Sequence, residues 1–188
     1  MIKVMVEPKF NLIVSAYALR EEAAIEELTQ YVGGLYVVWK QRSLILVRTT
    51  KMNPYEAIKV IRKEIDPYHT NILRIVPVDI VYSPFLEDVA KIVWDLAKEK
   101  IGENETFRIT LEGHLLKLTE EGKAVEARSR EAIDYLAKNI DRKVNLTKPD
   151  KIVYVKVVRV AGKQYSAIAI CKPEDILSTQ KMILHKRD

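Results

Sequence analysis

Apolar residues recur at two spacings along this chain, and each change of spacing marks an element boundary. Residues 10–17 (FNLIVSAY) form a short apolar run that predicts a strand. From 20 to 32, Ala24, Ile25, Leu28, Tyr31 and Val32 share one face of a predicted helix, which Gly33-Gly34 stops. Residues 35–39 and 44–48 read as two strands across the polar turn 40–43. Asn53-Pro54-Tyr55-Glu56 is a helix start: Asn caps, Pro suits the first helical position, and Glu stands three after the cap. The stripe Ala57, Ile58, Ile61 and Ile65 follows, and Asp66-Pro67 ends it. Residues 72–81 predict a further strand, with Pro77 calling for an edge or a bulge.

A second unit opens at Ser83-Pro84, a cap followed by the helical stripe Leu86, Val89, Ile92, Val93 and Leu96, closed by Gly102. Residues 107–111 predict a strand. The polar segment 112–122 leads into a helix expected over 124–140, with Ala132, Ile133, Leu136, Ala137 and Ile140 as its core face. Two apolar runs, 152–160 and 165–171, flank Ala161-Gly162-Lys163 and read as a β-hairpin. The tail PEDILSTQK reads as a turn or short helix, and residues 185–188 as frayed. The first unit follows the β-α-β-β-α-β order of the ferredoxin-like split-βαβ pattern, a fold that by itself implies no function. The expected split is residues 1–82 and 83–188.

The chain has 188 residues, 48% hydrophobic and 30% charged, enough for one large domain or two small ones. No apolar run approaches the ~20 residues that cross a bilayer, and the N-terminus lacks a signal-peptide pattern, so a soluble, cytoplasmic protein is expected. Cys171, the only cysteine, ends an apolar strand and reads as a small buried hydrophobe. The net charge is +5, and its placement says more than its size. Residues 1–80 carry eleven Lys/Arg against nine Asp/Glu, whereas from residue 104 onward there are seventeen against twelve, gathered around the 152–171 hairpin. Such an excess suits a polyanionic partner, although most basic runs are solvated faces.

Chemistry is sparse. His69, His114 and His185 are scattered without metal-ligand spacing, so no metal is expected. There is no GxxxxGK[ST], no GxGxxG and no GxSxG, so no cofactor is expected, and Glu112-Gly113-His114 reads as a polar loop rather than an acid/base pair. Tyr17, Trp39, Tyr55, Tyr82 and Tyr154 are possible base-stacking platforms, but aromatics in strands are more often packing residues. On this reading the protein is not an enzyme.

The residues FRITL at 107–111, SREAIDYLAKNI at 129–140, KVNLTKPDKIVYVKVV at 143–158 and AIAICKPEDILSTQK at 167–181 together resemble a THUMP domain. RIVPVDIVYSPFLEDVAKIV at 74–93 resembles the passage into such a domain from a ferredoxin-like one. THUMP domains usually accompany the catalytic domain of a tRNA-modifying enzyme. This chain stops seven residues after STQK, and a ferredoxin-like plus THUMP pair on its own is similar to the tRNA acetylation adaptors. The resemblance implies an α+β protein, an N-terminal ferredoxin-like βαββαβ domain packed against a C-terminal α/β THUMP domain. It also implies tRNA as partner and an RNA acetyltransferase on another chain that forms N4-acetylcytidine in the D-arm. THUMP sequences often carry a basic pair after the first strand, where this chain has Glu112-Gly113-His114.

The cations expected to meet RNA phosphates are Arg128, Arg130, Arg142, Lys143, Lys148, Lys151, Lys163, Lys172 and Lys181. Two other readings stay open at this point: a minimal tRNA-modifying enzyme with an unrecognised active site, and a ligand-binding regulatory module with no RNA role. The sequence leaves the oligomeric state undetermined.

Overall fold

A computed structural model describes residues 7–187; the signal-peptide reading rests mostly on residues 1–6, which lie outside the described residues. The first unit takes in Pro8–Val78. It runs β1 (Leu12–Ala16), α1 (Glu21–Tyr31), β2 (Leu35–Gln41), β3 (Leu44–Thr49), α2 (Pro54–Glu64) and β4 (Ile72–Pro77). β1 lies antiparallel between β3 and β4, the split-βαβ arrangement that the pattern predicts. Leu12, Val14, Ile45 and Val47 on one sheet face pack with Leu28, Ala57, Ile58 and Ile61 from the two helices. The expected cap of α2 is present, with Asn53 Oδ1 accepting from Glu56 N at 2.9 Å.

Asp79–Pro173 form the second unit. Its elements are β5 (Ile80–Tyr82), α3 (Leu86–Lys100), β6 (Thr106–Glu112), β7 (Leu116–Leu118), β8 (Ala124–Glu126), α4 (Ser129–Ala137), β9 (Lys143–Val144), β10 (Lys151–Val160) and β11 (Lys163–Cys171). The main sheet has the order β5-β11-β10-β6-β9, with β10 parallel to β6 and antiparallel to β11. Phe107, Val153, Val155, Ile168 and Ile170 pack on Val89, Val93 and Leu136. The hairpin turn places Ala161 (φ 49°) and Gly162 (φ 80°) both in the left-handed region, the backbone that a two-residue turn between twisted strands demands.

Three expectations change. The single strand expected over 72–81 is two strands in different sheets, broken at Val78-Asp79. Asp79 Oδ2 accepts from Ile170 N at 2.9 Å and Lys100 Nζ at 2.8 Å, which ties that residue to the second unit. The helix expected from residue 124 begins at Ser129, because 124–126 pair with 116–118 as a small hairpin and Ala127 N donates to Leu115 O. Turn chemistry at Thr119 and Gly122 (φ 78°) was hidden within a segment that reads simply as polar.

The largest change concerns the tail. The residues from Glu174 onward belong to the first unit, so the expected 1–82 and 83–188 split is replaced by a second unit inserted into the first. After a 3-10 turn at Pro173–Asp175, β12 (Leu177–Ser178) pairs with β4, giving the first sheet the order β12-β4-β1-β3-β2, and α5 (Thr179–His185) follows. Leu177 is fully buried, Thr179 Oγ1 donates to Ile72 O at 3.0 Å, and Arg62 Nη2 donates to Glu174 O at 2.6 Å. Pairing covers part of a strand edge that would otherwise present open backbone groups. Ser178 caps α5, its hydroxyl accepting from Lys181 N at 3.4 Å.

Candidate nucleic-acid interface

The segment KVNLTKPD, which joins α4 to β10, owes its shape to three local devices. Asn145 Oδ1 accepts from Thr147 N at 3.1 Å and Lys148 N at 3.0 Å, an Asx-type turn. Arg108 Nη1 donates to Leu146 O at 3.2 Å, and Pro149 is buried. Asp150 Oδ2 accepts from Thr106 N at 2.8 Å and Thr106 Oγ1 at 3.0 Å. The Thr106 amide is the chief reason that the Asp150 carboxyl is held below its ordinary range. The product is a fixed loop that carries exposed Lys148 together with exposed Val144 and Leu146, with exposed Lys143 at its start.

The nine predicted cations do not form one cluster. Lys143, Lys148 and Lys172 are exposed at the end of the sheet where β10 and β6 begin and β11 finishes. Lys163 stands at the other end of β10 and β11, and nine steps of ~3.3 Å along an extended strand separate the two ends by roughly 30 Å. Arg128 and Arg130, both exposed, start α4 just after Ala127, which bonds to Leu115 beyond the end of β6; they therefore lie toward the Lys163 end. Arg130 has Asp134 at 4.0 Å along the helix surface. Lys181 is on α5 in the first unit.

Arg142 and Lys151 are engaged inside the second unit. Arg142 Nε donates to Ile101 O at 3.1 Å and Gly102 O at 2.9 Å. Lys151 Nζ donates to Lys100 O and lies 3.3 Å from Glu105, with only 15% of its side chain exposed. Both cations sit on the carbonyl end of α3, where unpaired backbone oxygens and the helix dipole favour positive charge. Glu105 is held below the ordinary carboxylate range, first by the Gly102 amide (2.7 Å) and then by Lys151. In the same way Lys156 pairs with Glu112 at 3.0 Å, and the buried Tyr154 hydroxyl donates to Glu112 at 2.8 Å. Glu112 thus takes part in a sheet-face network, and Tyr154 is a core residue rather than a stacking platform.

The half-chain charge count hid one feature. Between Glu27 and Glu56 there is no acidic residue, while Lys40, Arg42, Arg48 and Lys51 fall there with Tyr36 and Trp39. Tyr36, absent from the expected aromatics, is 60% exposed. Scanning for acid-free windows, rather than halves, would have found it. His69, expected to have no carboxylate partner at ligand spacing, lies 2.8 Å from Asp66 in an exposed pair. Among the described residues no helix is long and apolar enough to cross a membrane.

Neither a family model nor a curated protein matches this chain. Solved structures do. PH1313 from Pyrococcus horikoshii Ot3 is similar at a TM-score of 0.57 and 19% identity, covering 87% of this chain and 55% of that one. A 4-thiouridine synthetase, solved as a complex with RNA and with bound ATP, gives 0.53 and 18%, covering 87% of this chain and 42% of the synthetase. TrmN from Thermus thermophilus gives 0.49 and 16%, covering 85% and 45%. The chain therefore spans about half the length of these structures. Its fold is α+β, with a ferredoxin-like unit and a second α/β unit, in line with the arrangement that the sequence resemblance implies.

One expectation is overturned here. The protein was read as not an enzyme, yet the structures that share its fold include an enzyme, the synthetase. The fold does not separate catalytic from non-catalytic proteins, and the missing motifs of this stretch do not decide the matter.

Proposed function

We propose that this protein binds tRNA during tRNA modification and holds it for a modifying active site. The observation that carries the reading is the likeness of fold, over 87% of the chain, to a synthetase solved in complex with RNA. Two exposed basic groups support it: Lys143, Lys148 and Lys172 at one end of the second unit's sheet, and Arg128, Arg130 and Lys163 toward the other. Contacts roughly 30 Å apart on one rigid sheet would meet phosphates distant along a folded RNA, which selects shape rather than sequence. Lys181 is a further contact in this proposal, whereas Arg142 and Lys151 serve by fixing the end of α3 beneath the loop.

The finer reading takes the active site to be that of an RNA cytidine acetyltransferase on another chain, acting in the cytoplasm and forming N4-acetylcytidine in the D-arm. It is supported by the sequence resemblance of residues 107–181. The test is reconstitution with unmodified tRNA, acetyl-CoA and ATP, with and without the acetyltransferase, followed by nucleoside mass spectrometry. The expected outcome is acetylation that requires both chains. Acetylation by the transferase alone would remove the finer reading, and modification by this chain alone would locate an active site within it. Absence of a tRNA gel shift would remove the whole proposal.

A further inference from the structure

The ferredoxin-like unit carries its own polar-aromatic surface, and the sheet register defines it. Ile45 and Val47 of β3 pack in the helix-side core, so Leu46 and Arg48 point to the opposite face. On that face the pairing sets Tyr36 across from Arg48 and Trp39 across from Leu46. β2 is the outermost strand, and there Tyr36 is 60% exposed and Arg48 is exposed. Trp39 is half-buried, its indole N–H donating to Gln41 Oε1 at 3.1 Å. A Tyr and an Arg directly opposed on an antiparallel pair have Cβ atoms roughly 5 Å apart, close enough for one nucleotide to meet both.

Along β2, β3 and the turn between them the charge has one sign. Lys40, Arg42, Arg48 and Lys51 fall in the stretch without Asp or Glu. Lys40 pairs with Glu22, while among the described residues no carboxylate pairs with Arg42, Arg48 or Lys51. Besides Glu22, Glu21 also lies near the β2–β3 turn, and it is held by backbone: its Oε1 accepts from Ser43 N at 2.6 Å and Leu19 N at 3.3 Å. An exposed ring beside unpaired cations is the combination that binds single-stranded nucleic acid, since every base offers a π-face and every linkage a phosphate.

We infer that the β2–β3 face is a second RNA contact, which takes a single-stranded segment with a base stacked on Tyr36 and its phosphates at Arg48 and Arg42. The inference rests on the reading of the protein as an RNA binder. The test is fluorescence anisotropy of the intact chain with a short labelled oligouridylate and with unmodified tRNA. Variants are Tyr36→Ala, Tyr36→Phe and Arg48→Gln, each checked for an unchanged melting curve. Tyr36→Ala should weaken the oligouridylate roughly 5- to 100-fold, with Tyr36→Phe retaining most of the affinity because the ring remains. Arg48→Gln should lower the salt slope by about 0.7.

Oligouridylate binding that ignores Tyr36→Ala overturns the inference. So does self-association in sedimentation that Tyr36→Ala abolishes while RNA binding is unchanged, since the face would then serve a second copy of the chain. If tRNA binding depends on Lys143 and Lys148 but not on Tyr36, only this inference fails. If the wild-type chain binds neither RNA, the underlying reading fails with it.

Discussion

The hairpins β2–β3 and β10–β11 both carry basic residues on apolar strands, yet they present opposite surfaces. β10–β11 is interior to its sheet, and Val153, Val155, Ile168 and Ile170 are fully buried. Two of its strand cations are engaged, Lys151 by Glu105 and Lys156 by Glu112, while Arg159 and Lys163 are exposed. β2–β3 ends its sheet, and its outer strand leaves Tyr36 and Val37 in water beside an Arg48 that has no carboxylate partner among the described residues. The two hairpins carry four and three cations at much the same density, and among the described residues each leaves two without a carboxylate partner, Arg159 and Lys163 in one and Arg42 and Arg48 in the other. Linear density counts lysines; a polyanion meets only those that no carbonyl or carboxylate already holds.

The comparison breaks most visibly in stability. Ile168→Ala should cost about 2–5 kcal/mol by leaving a cavity, while Tyr36→Ala should stay within about 0.5 kcal/mol because its ring is exposed. Denaturant unfolding followed by Trp94 for the second unit and Trp39 for the first would read the two separately. Next comes Lys151→Ala, which removes a charged donor from the α3 carbonyl end and should cost about 1–3 kcal/mol while leaving tRNA affinity unchanged. Loss of affinity without loss of stability would show Lys151 to be an RNA contact after all.

The doubly substituted Lys143→Ala, Lys148→Ala chain should keep its stability and lose about 0.7–0.9 of salt slope for each phosphate contact removed. Arg128→Ala with Lys163→Ala, measured in parallel, tells whether one end of the sheet or both meet RNA. The smallest effect concerns acid. Glu105 and Asp150 both have folded-state pKa values below their ordinary ones, so their stabilising contribution is present above the ordinary carboxylate range and fades as pH falls through the lowered values. The second unit's midpoint should therefore fall on acidification below about pH 4.5, and Asp150→Asn should flatten that fall.

The first unit was legible because its cues are local: an Asn-Pro cap, a Gly-Gly stop and 3.6-residue stripes coincide with α1, α2 and four strands. The β7–β8 hairpin was not, since three-residue strands carry too little periodicity to register. Nor was the return of the tail legible. Ile176-Leu177 reads as a single apolar pair in a polar run, and only the long-range partner Ile75 gives Leu177 a strand. For the candidate site, residue type was readable and availability was not. Arg142 and Lys143 are neighbours in sequence, but one grips the end of α3 and the other faces solvent.

The inserted topology has a consequence for how the chain comes to be folded. β4 is complete as soon as Pro77 has been synthesised, but its outer partner β12 lies beyond the whole of Asp79–Pro173. During synthesis from the N-terminus, the first sheet must wait with the unpaired side of β4 uncovered while the intervening unit is made. Closing that contact across so long a loop is the slowest kind of pairing, unless the inserted unit folds first and brings its ends together. A product that terminates early inside β11 would leave both sheets open at once, a hydrophobic signature that quality-control machinery can recognise.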